Sequence, residues 1–465
     1  MQYQSTRGRA PELDFESVTL AGLASDGGLY VPERWPTFTD AELRDFRGMS
    51  YAETATAVIA RFVGDALTQS EIAALTGEAY VAFSHAAVTP LVQLDDRQWL
   101  LELFHGPTLA FKDVALQLLG LFFDKFLTAR GESLTVIGAT SGDTGSAAIN
   151  ALAGRDCAEV FMLHPAGRVS EVQRRQMTTV IAPNIHNIAI EGSFDDAQAH
   201  VKRMFRDEAL TEIRLSAVNS INWARLMAQV VYYIYAGVRL GAPDRQIAFS
   251  VPTGNFGDVF AGYVAAKMGL PVARLIVATN VNDILHRALS VGDYSAGTVS
   301  PTAAPSMDIQ VSSNFERLLF DLAGRDAERL SAMMEGFDGS KRLTLDDDIR
   351  TKAAKLFESA RVDPDEMAMT MQWALRDANN LIDPHTAIGL AAARAASLPN
   401  DVPVVTLATA HPAKFETAVE RATGVRPQLP KRLSGLMDRK EEYDTLPGTY
   451  EAVRDYVQAR AERTA

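Results

Sequence analysis

Apolar residues occur along this chain in short continuous runs, and each run precedes a segment whose apolar residues recur at helical spacing. Five runs have the length and composition of buried strands: Leu134–Thr140, Glu159–Leu163, Ile247–Val251, Arg274–Thr279 and Val404–Ala408. The segments with helical spacing that follow them are Thr144–Ala153, Ser170–Val180, Asp258–Met268, Asn282–Ala288 and Ala413–Thr423. This alternation predicts a mostly parallel sheet that is covered by helices on both faces.

The regions outside this alternation have different patterns. The pattern in the first ninety or so residues predicts a separate unit. Helices are predicted there at Asp14–Leu23, Asp40–Phe46 and Tyr51–Phe62, and Asp26–Pro32 predicts a turn that leads into an extended piece. Short strands are predicted next, at Leu91–Leu94 and Trp99–Leu103. Glu328–Asn380 looks largely helical and polar on one side, which is typical of an insertion packed on the outside. Asp438–Ala465 predicts an exposed terminal helix.

The composition mainly excludes classes of ligand and kinds of site. The 465 residues are 47% hydrophobic and 22% charged, so the chain can bury the cores of two or three domains. A net charge of −13 argues against general binding of nucleic acid or anionic membranes. The one cysteine excludes an intrachain disulfide, and without a Cys pair or an HExxH segment we predict no metal site. The N-terminus has no apolar signal core and the apolar stretches are too short to span a bilayer, which predicts a cytoplasmic enzyme.

Two glycine-rich loops stand at strand–helix junctions, Gly138–Gly145 and Pro252–Gly257. Each directs free backbone N–H groups at the space above it, and a helix N-terminus favours negative charge there. Neither loop matches the dinucleotide fingerprint or the Walker A pattern, which disfavours a nucleotide-binding enzyme. One such loop is explained as well by tight packing without a ligand, whereas two in one α/β region favour phosphate binding.

Lys112 lies at the start of a predicted buried helix. Apolar residues recur through that helix at Phe111, Ala115, Leu118, Phe122 and Phe126. A lysine that snorkels from a helix edge is one interpretation. The other is a Schiff-base lysine, which needs an unprotonated amine, and both burial and the positive end of a helix favour that form. Together with the two loops, this predicts that Lys112 holds pyridoxal phosphate as a Schiff base.

Several segments resemble the threonine synthase family, in the form that fungi and many bacteria share. They are FHGPTLAFKD at Phe104, GATSGDTGSAA at Gly138, VPTGNFGD at Val251, ATNVNDILHR at Ala278 and LATAHPAKFE at Leu407. Near the N-terminus, YQSTRG and DGGLYVPE are similar to that family's own signature. The resemblance runs from Tyr3 to about Lys431, in the family's order.

The resemblance implies a fold type II pyridoxal-phosphate enzyme with two doubly wound open α/β domains, an N-terminal helical domain and a helical insertion. The implied boundaries are residues 1–90 for the N-terminal domain, 91–430 for the catalytic region and 431–465 for a helical tail. Within the catalytic region, a small subdomain at roughly 130–225 and the insertion at roughly 325–380 interrupt the larger one. The implied reaction converts O-phospho-L-homoserine and water to L-threonine and phosphate by γ-elimination and β-hydration. The oligomeric state, monomer or homodimer, stays open.

The same resemblance implies roles for individual residues. Lys112 would carry the cofactor and move protons, Thr409 would bond the pyridine nitrogen, and Asp143 stands where many relatives carry Asn near the cofactor's 3′-oxygen. The implied ligands of the cofactor phosphate are Gly254, Asn255, Phe256 and Gly257. The implied substrate ligands are Ser141, Gly142 and Thr144 for the carboxylate and Asn219, Ser220 and Arg225 for the phosphate. For that last group, a helix start with an Asn or Ser cap is the alternative.

Other residues and other functions stay open at this point. A packing or supporting role fits His105, His411 and Lys414 as well as a direct one, and Ser84, Thr89 and Ser306–Asn314 are expected to approach the site. Two further functions are consistent with the motifs. One is another enzyme of the same fold, such as a threonine or serine dehydratase or a phospho-lyase, and the other is a non-catalytic protein that binds pyridoxal phosphate.

Overall fold

A computed structural model describes residues 1–461, and its elements alternate as the pattern predicts. The first ninety residues contain β1 (Tyr3–Ser5), α1 (Phe15–Ala21), β2 (Tyr30–Pro32), α2 (Asp40–Asp45), α3 (Tyr51–Val63) and α4 (Gln69–Val81). The next part contains β3 (Leu91–Gln93), β4 (Gln98–Glu102), α5 (Lys112–Arg130), β5 (Leu134–Ala139), α6 (Asp143–Leu152), β6 (Ala158–Pro165), α7 (Glu171–Thr178), β7 (Ile185–Ile190), α8 (Phe194–Met204), β8 (Leu215–Ser216) and α9 (Trp223–Arg239).

The second half continues the alternation. It contains β9 (Ile247–Pro252), α10 (Gly257–Lys267), β10 (Val272–Thr279), α11 (Ile284–Val291), β11 (Asp293–Ser295), α12 (Phe315–Leu322), α13 (Ala327–Ser340), β12 (Arg342–Thr344), α14 (Asp347–Ala353) and β13 (Phe357–Arg361). It ends with α15 (Pro364–Asp377), α16 (Pro384–Ala395), β14 (Val404–Ala408), α17 (Glu416–Thr423), β15 (Asp444–Leu446) and α18 (Tyr450–Arg460).

Two open sheets organise the fold. The larger has the strand order β13-β10-β9-β14-β4-β3 and is parallel except for β3, which pairs antiparallel with β4 at one edge. The smaller has the order β15-β7-β6-β5-β8 and is parallel throughout. Every residue of β9 and β14 is buried, as expected for central strands with helices on both faces. The predicted pair of doubly wound α/β sheets is confirmed.

Helices α5 and α9 start at the junction of the two sheets and are buried for most of their length. In α9, the run from Trp223 to Val238 is buried without interruption. Because helices so placed have little contact with water, charged residues in their first turns lie inside the protein. Within residues 1–461, no helix combines the length and the apolar run that crossing a bilayer requires.

The N-terminal helices begin at strong caps. Thr39, Ser50 and Thr68 each form a capping box with the glutamate three residues later, at the starts of α2, α3 and α4. Helix α4 was not among the predicted elements. Its buried residues are Ile72, Thr76, Ala79 and Tyr80, so its inner face contains small and polar side chains and lacks a clear apolar stripe.

Two sequence-based predictions need correction. Glu328–Asn380 is largely helical as predicted, but it is not only packed on the outside, because Phe357–Arg361 forms β13 and pairs in parallel with β10 in the larger sheet. Asp438–Ala465 is not simply an exposed helix, because β15 extends the smaller sheet and α18 buries Tyr450, Val453 and Val457 in that sheet's core. The last part of that prediction, residues 462–465, lies outside the described residues.

Candidate active site

The loop before Lys112 is fixed by polar contacts. Asp113 accepts hydrogen bonds from the backbone N–H and the Oγ1 of Thr108, at 2.8 and 2.6 Å. Arg432, from the C-terminal part of the chain, donates to the carbonyl of Gly106 at 2.6 Å. Gly106 makes room for Asp113, because a Cβ at this glycine would lie 2.4 Å from the Asp113 Cβ. Lys112 therefore starts α5 from a rigid turn.

Lys112 is buried with one acidic partner. Its Nζ lies 3.4 Å from Asp143 Oδ2, and only 8% of the residue is exposed. Burial lowers the pKa of Lys112, and the nearby cations of Arg225 and Lys414 act in the same direction, although Asp143 opposes them. The amine is thus shifted toward the unprotonated form that imine chemistry requires.

Asp143 is the first residue of α6 and contacts two lysines. Its Oδ1 lies 3.0 Å from Lys414 Nζ and accepts a 2.9 Å hydrogen bond from Gln173. Burial alone would raise the pKa of Asp143, but Lys414 and Lys112 together hold it well below its usual range. The acidic residue at this position therefore stays a carboxylate, compensated by a lysine from the far end of the chain.

The loop after β9 forms a backbone cradle. Phe256 has φ 62°, in the left-handed region, and α10 begins at the next residue, Gly257. A Cβ at Gly254 would lie 2.6 Å from the carbonyl oxygen of Ser306, so only glycine fits there. The N–H groups in the first turn of α10 have no partner within the helix. The residues present therefore fit a phosphate group that approaches the backbone.

The segment that contains Asn219, Ser220 and Arg225 lies beside this cradle. Asn314 Nδ2 donates to the carbonyl oxygens of both Ser220 and Asn255, at 3.2 and 3.1 Å. The alternative, a helix start with an Asn cap, also describes part of this segment: α9 begins at Trp223, and its cap is Asn222, whose Oδ1 accepts from Ala224 N at 3.0 Å. Neither Asn219 nor Ser220 is the cap of that helix.

Arg225 is buried without an acidic partner. It is 4% exposed, its Nη1 donates to the carbonyl of Val218 at 2.8 Å, and its Nε has no hydrogen-bond partner. Within residues 1–461 it forms no ion pair. Burial lowers the pKa of Arg225 to about 10. A guanidinium in this environment is unfavourable on its own and favours an anion that enters the cleft.

The other predicted site residues surround the same cleft. The carbonyl of Thr409 accepts from Phe111 N at 2.8 Å, immediately before Lys112, and within the described chain the Thr409 hydroxyl makes no hydrogen bond. Exposed Ser141 and half-buried Thr144 flank Asp143 at the start of α6. Gly142 between them has φ 137°, a conformation that favours glycine. Asn219 is exposed, and its Oδ1 accepts from Ile221 N at 3.2 Å.

His105 and His411, whose roles the sequence left open, contact neighbouring residues of the same segments or loops. His105 Nε2 lies 2.7 Å from Glu102 Oε2, and Ser84 donates to the His105 carbonyl through both its N–H and its Oγ. His411 Nδ1 accepts from Ala413 N at 3.2 Å, and burial lowers the pKa of His411 to about 4.

Among the described residues, no group of three or more His, Cys, Asp or Glu could hold a metal ion.

Sequence reasoning missed a histidine–aspartate pair beneath the cleft. His385 Nδ1 lies 2.6 Å from Asp383 Oδ2, and its Nε2 accepts from Ser306 N at 3.3 Å. Because the Ser306 N–H donates to Nε2, the ring proton is on Nδ1. Ser306 Oγ in turn donates to Asp143 Oδ2 at 3.4 Å. The Asp-Pro-His sequence that starts α16 was the available signal, since Asp383 caps that helix.

Asp258 gives a testable pH dependence. Its buried Oδ1 accepts from the hydroxyls of Tyr232 and Tyr233 at 2.5 and 2.9 Å, and its Oδ2 has no hydrogen-bond partner in the part of the chain that the structure describes. Burial raises the pKa of Asp258 from 3.8 to about 6, and the tyrosine hydrogen bonds offset only part of this. The folded state therefore binds this proton more tightly than the unfolded state, so the stability that the group contributes is present at low pH and is lost as pH rises through 6.

We expect Asp258→Asn to remove this loss. The difference in the free energy of unfolding, variant minus wild type, should increase by about 2 to 3 kcal/mol as the pH rises from about 4 to about 8, because only wild type loses the stability that the Asp258 proton provides. Urea unfolding of both proteins without cofactor, across that pH range, measures the difference. A difference that does not change with pH would contradict the raised pKa.

Three known families match consecutive parts of the chain. The family described as threonine synthase N terminus matches residues 2–80. The family described as pyridoxal-phosphate dependent enzyme matches residues 82–410, which include the cleft from Lys112 to Thr409. The family described as threonine synthase, C-terminal, matches residues 386–457.

Individual relatives resemble the chain over its whole length. The threonine synthase of Pseudomonas aeruginosa is 54% identical, in an alignment that covers 100% of this chain and 99% of the relative. The crystal structure of pyridoxal-phosphate-bound threonine synthase from Brucella melitensis has a TM-score of 0.97 at 52% identity and covers 99% of this chain and 100% of that one. The crystal structure of threonine synthase from yeast has a TM-score of 0.94 at 38% identity and covers 99% of this chain and 98% of that one. The likeness thus includes the N-terminal helices, both sheets and the C-terminal segment.

Proposed function

The chain belongs to the threonine synthase family of pyridoxal-phosphate enzymes, and from this premise we propose how its cleft converts O-phospho-L-homoserine and water to L-threonine and phosphate. One observation carries the proposal. A buried lysine with a lowered pKa is flanked by two separate anion sites, the backbone cradle at Gly254–Gly257 and the unpaired guanidinium of Arg225. The reaction has two phosphate groups to hold, one on the cofactor and one on the substrate.

The cofactor fits the first of these sites. Gly254, Asn255, Phe256 and Gly257 would hold its phosphate, and the Thr409 hydroxyl, which is free of protein partners within the described chain, would bond its ring nitrogen. When bound, pyridoxal phosphate supplies an electron sink that makes the Cα–H of an amino acid acidic. A hydroxyl at the ring nitrogen provides less negative charge than a carboxylate would, so the protein itself must direct where protons go.

The substrate fits the second site. Arg225 binds the phosphate of O-phospho-L-homoserine, with Asn219 and Ser220 as neutral partners, while Ser141, Gly142 and Thr144 at the start of α6 receive the carboxylate. The Nζ of Lys112, once free of the cofactor, takes the Cα proton, and loss of a Cβ proton then expels the γ-phosphate. Protons return to Cγ and Cα as the hydroxyl of water adds at Cβ, which gives L-threonine. Arg225 then retains the released phosphate beside the carbon that water attacks.

The direct test follows both products at once. The holoenzyme is incubated with O-phospho-L-homoserine while phosphate and L-threonine are assayed in the same samples. We expect equal amounts of the two. Phosphate with 2-oxobutyrate in place of threonine would identify a dehydratase-like or lyase activity. A colourless protein that takes up no pyridoxal phosphate would overturn the proposal.

The remaining parts of the proposal concern the setting of the enzyme. We place it in the cytoplasm, acting on a small molecule as a monomer or homodimer, with residues 1–90, 91–430 and 431–465 as its domains. Sedimentation of the holoenzyme distinguishes the two oligomeric states.

A further inference from the structure

Lys414 is a fully buried lysine that the reaction scheme leaves without a role. Its side chain has 0% exposure, and its Nζ has three oxygen neighbours. These are the carbonyl of Thr108 at 2.6 Å, Oε1 of Gln176 at 2.8 Å and Oδ1 of Asp143 at 3.0 Å. An ammonium group has three donors, so this environment satisfies all of them and fixes the position of the charge.

The two oxygens of Asp143 have different surroundings. Oδ1 is held by Lys414 at 3.0 Å and by Gln173 at 2.9 Å. Oδ2 has only the longer contacts, to Lys112 Nζ and to Ser306 Oγ, both at 3.4 Å. One oxygen is therefore anchored to the interior, and the other faces the reactive lysine.

The charges near the cleft make this arrangement necessary. Lys112 must lose its proton to bind the cofactor, and a buried carboxylate without a cation would then tend to become protonated. With Lys414 beside it at 3.0 Å, Asp143 has a second lysine partner, so its ionisation does not rest on Lys112 alone. The other charged groups near this cluster are Arg225 from α9, Asp258 from α10, Asp113 from α5 and Arg432, which acts on Asp113 from the C-terminal part of the chain.

We propose that Lys414 is a positioning residue for the reaction, which keeps Asp143 ionised and one of its oxygens turned to Lys112 whatever the charge on Lys112. The inference rests on the proposed function, because it takes Lys112 as the proton carrier. Lys112 then gains and loses its proton against a constant neighbouring charge. The Asp143–Lys414 pair behaves as one neutral unit in the wall of the cleft.

The test measures how the reaction of Lys112 with pyridoxal phosphate depends on pH. Apoenzyme is mixed with the cofactor, and the rate is followed by absorbance, with Lys112→Ala as the blank. Only the unprotonated amine reacts, so the midpoint of the profile reports the proton affinity of Lys112. The variants are Lys414→Met, Asp143→Asn and the two combined. Gln176→Met is the matched control, because it removes a neutral neighbour of Lys414 and changes no charge.

The expected shifts have opposite signs. Lys414→Met removes a cation and leaves Asp143 to stabilise protonated Lys112, so the midpoint should rise by about one pH unit or more. Asp143→Asn should lower it by a similar amount. The double variant removes a neutral pair, so its midpoint should lie close to that of wild type. Gln176→Met should leave the wild-type midpoint unchanged.

The alternatives give distinct results. If Lys414→Met fails to fold but the double variant folds, the rescue supports the pairing of Lys414 with Asp143. If both fail to fold, or if the single and double variants share one midpoint, Lys414 acts through packing alone and the inference is wrong. If wild-type apoenzyme takes up no cofactor at all, the proposed function fails instead.

Discussion

Lys112→Ala is expected to lower kcat on O-phospho-L-homoserine by about 10⁴-fold, because it removes both the attachment point of the cofactor and the group that moves protons. The fold should survive, since within residues 1–461 the substitution removes a single ion pair, the long 3.4 Å contact with Asp143. Steady-state assay of phosphate release measures the loss, and urea unfolding checks the fold. The variant should also lose bound cofactor on gel filtration, whereas wild type should stay yellow.

The same helix offers the control. Lys125 lies in α5 and pairs with Glu71 at 2.6 Å at a position where the two side chains are 42% and 37% exposed. Such a surface pair contributes roughly 0 to 1 kcal/mol, so Lys125→Ala should retain wild-type kcat and cofactor. Equal loss of activity in both variants would show that α5 itself had been disturbed. A Lys112→Ala enzyme with more than a few per cent of wild-type kcat would remove Lys112 from the chemistry.

The sheets could be predicted from the sequence because buried parallel strands are continuous apolar runs. Strand β9 is the clearest case, since all six residues from Ile247 to Pro252 are buried. Of the edge strands, β3 was predicted from its short apolar run, but β13, at the opposite edge of the larger sheet, could not be predicted in this way. β13 has the sequence Phe-Glu-Ser-Ala-Arg, with one large apolar residue, and its pairing depends on β10, which lies far from it in the sequence. β7 and α8 were missed as well, the former because His186 and Asn187 interrupt its apolar run.

The features of the site also fall into two groups, those that could be located from the sequence and those that only the structure shows. Lys112, Asp143 and the loop at Gly254 could be located because local pattern and family motif mark them, and the structure brings them into one cleft. The contacts that give these residues their properties join distant segments. Lys414 reaches Asp143, Arg432 reaches the loop before Lys112, and His385 reaches Ser306. Periodicity within a segment contains no information about such pairs, so these three contacts required the structure.

Arg225→Met is expected to separate substrate binding from stability. Loss of a charged partner for the substrate phosphate should raise KM for O-phospho-L-homoserine by roughly 100- to 1,000-fold. Stability should fall by less than about 1 kcal/mol or even rise, because the folded protein buries this guanidinium with no acidic partner. Steady-state kinetics and urea unfolding of the same preparation measure the two quantities. A KM close to wild type would remove Arg225 from the phosphate site.

Arg317 is the matched control for burial. It is 0% exposed, and burial lowers the pKa of Arg317 to about 9, but it donates to the carbonyls of Tyr30 and Ile221 at 3.0 and 2.6 Å and to the side chain of Asn314. Arg317→Met should therefore cost about 3 kcal/mol or more, since it leaves these buried acceptors unpaired. A large loss of stability for Arg317→Met and a small one or none for Arg225→Met would show that burial alone does not explain Arg225.

Inorganic phosphate completes this argument. The holoenzyme is used so that the cofactor already fills the cradle at Gly254–Gly257, which leaves the Arg225 site for added phosphate. A ligand at 100 times its Kd stabilises the folded state by about 2.7 kcal/mol, so phosphate should raise the Tm of wild type and have little effect on the Arg225→Met holoenzyme. Equal stabilisation of both proteins would place the added phosphate elsewhere. If phosphate raises the Tm of wild type but not of Arg225→Met, and the two proteins are equally stable without phosphate, then the unpaired guanidinium is retained for binding and not for folding.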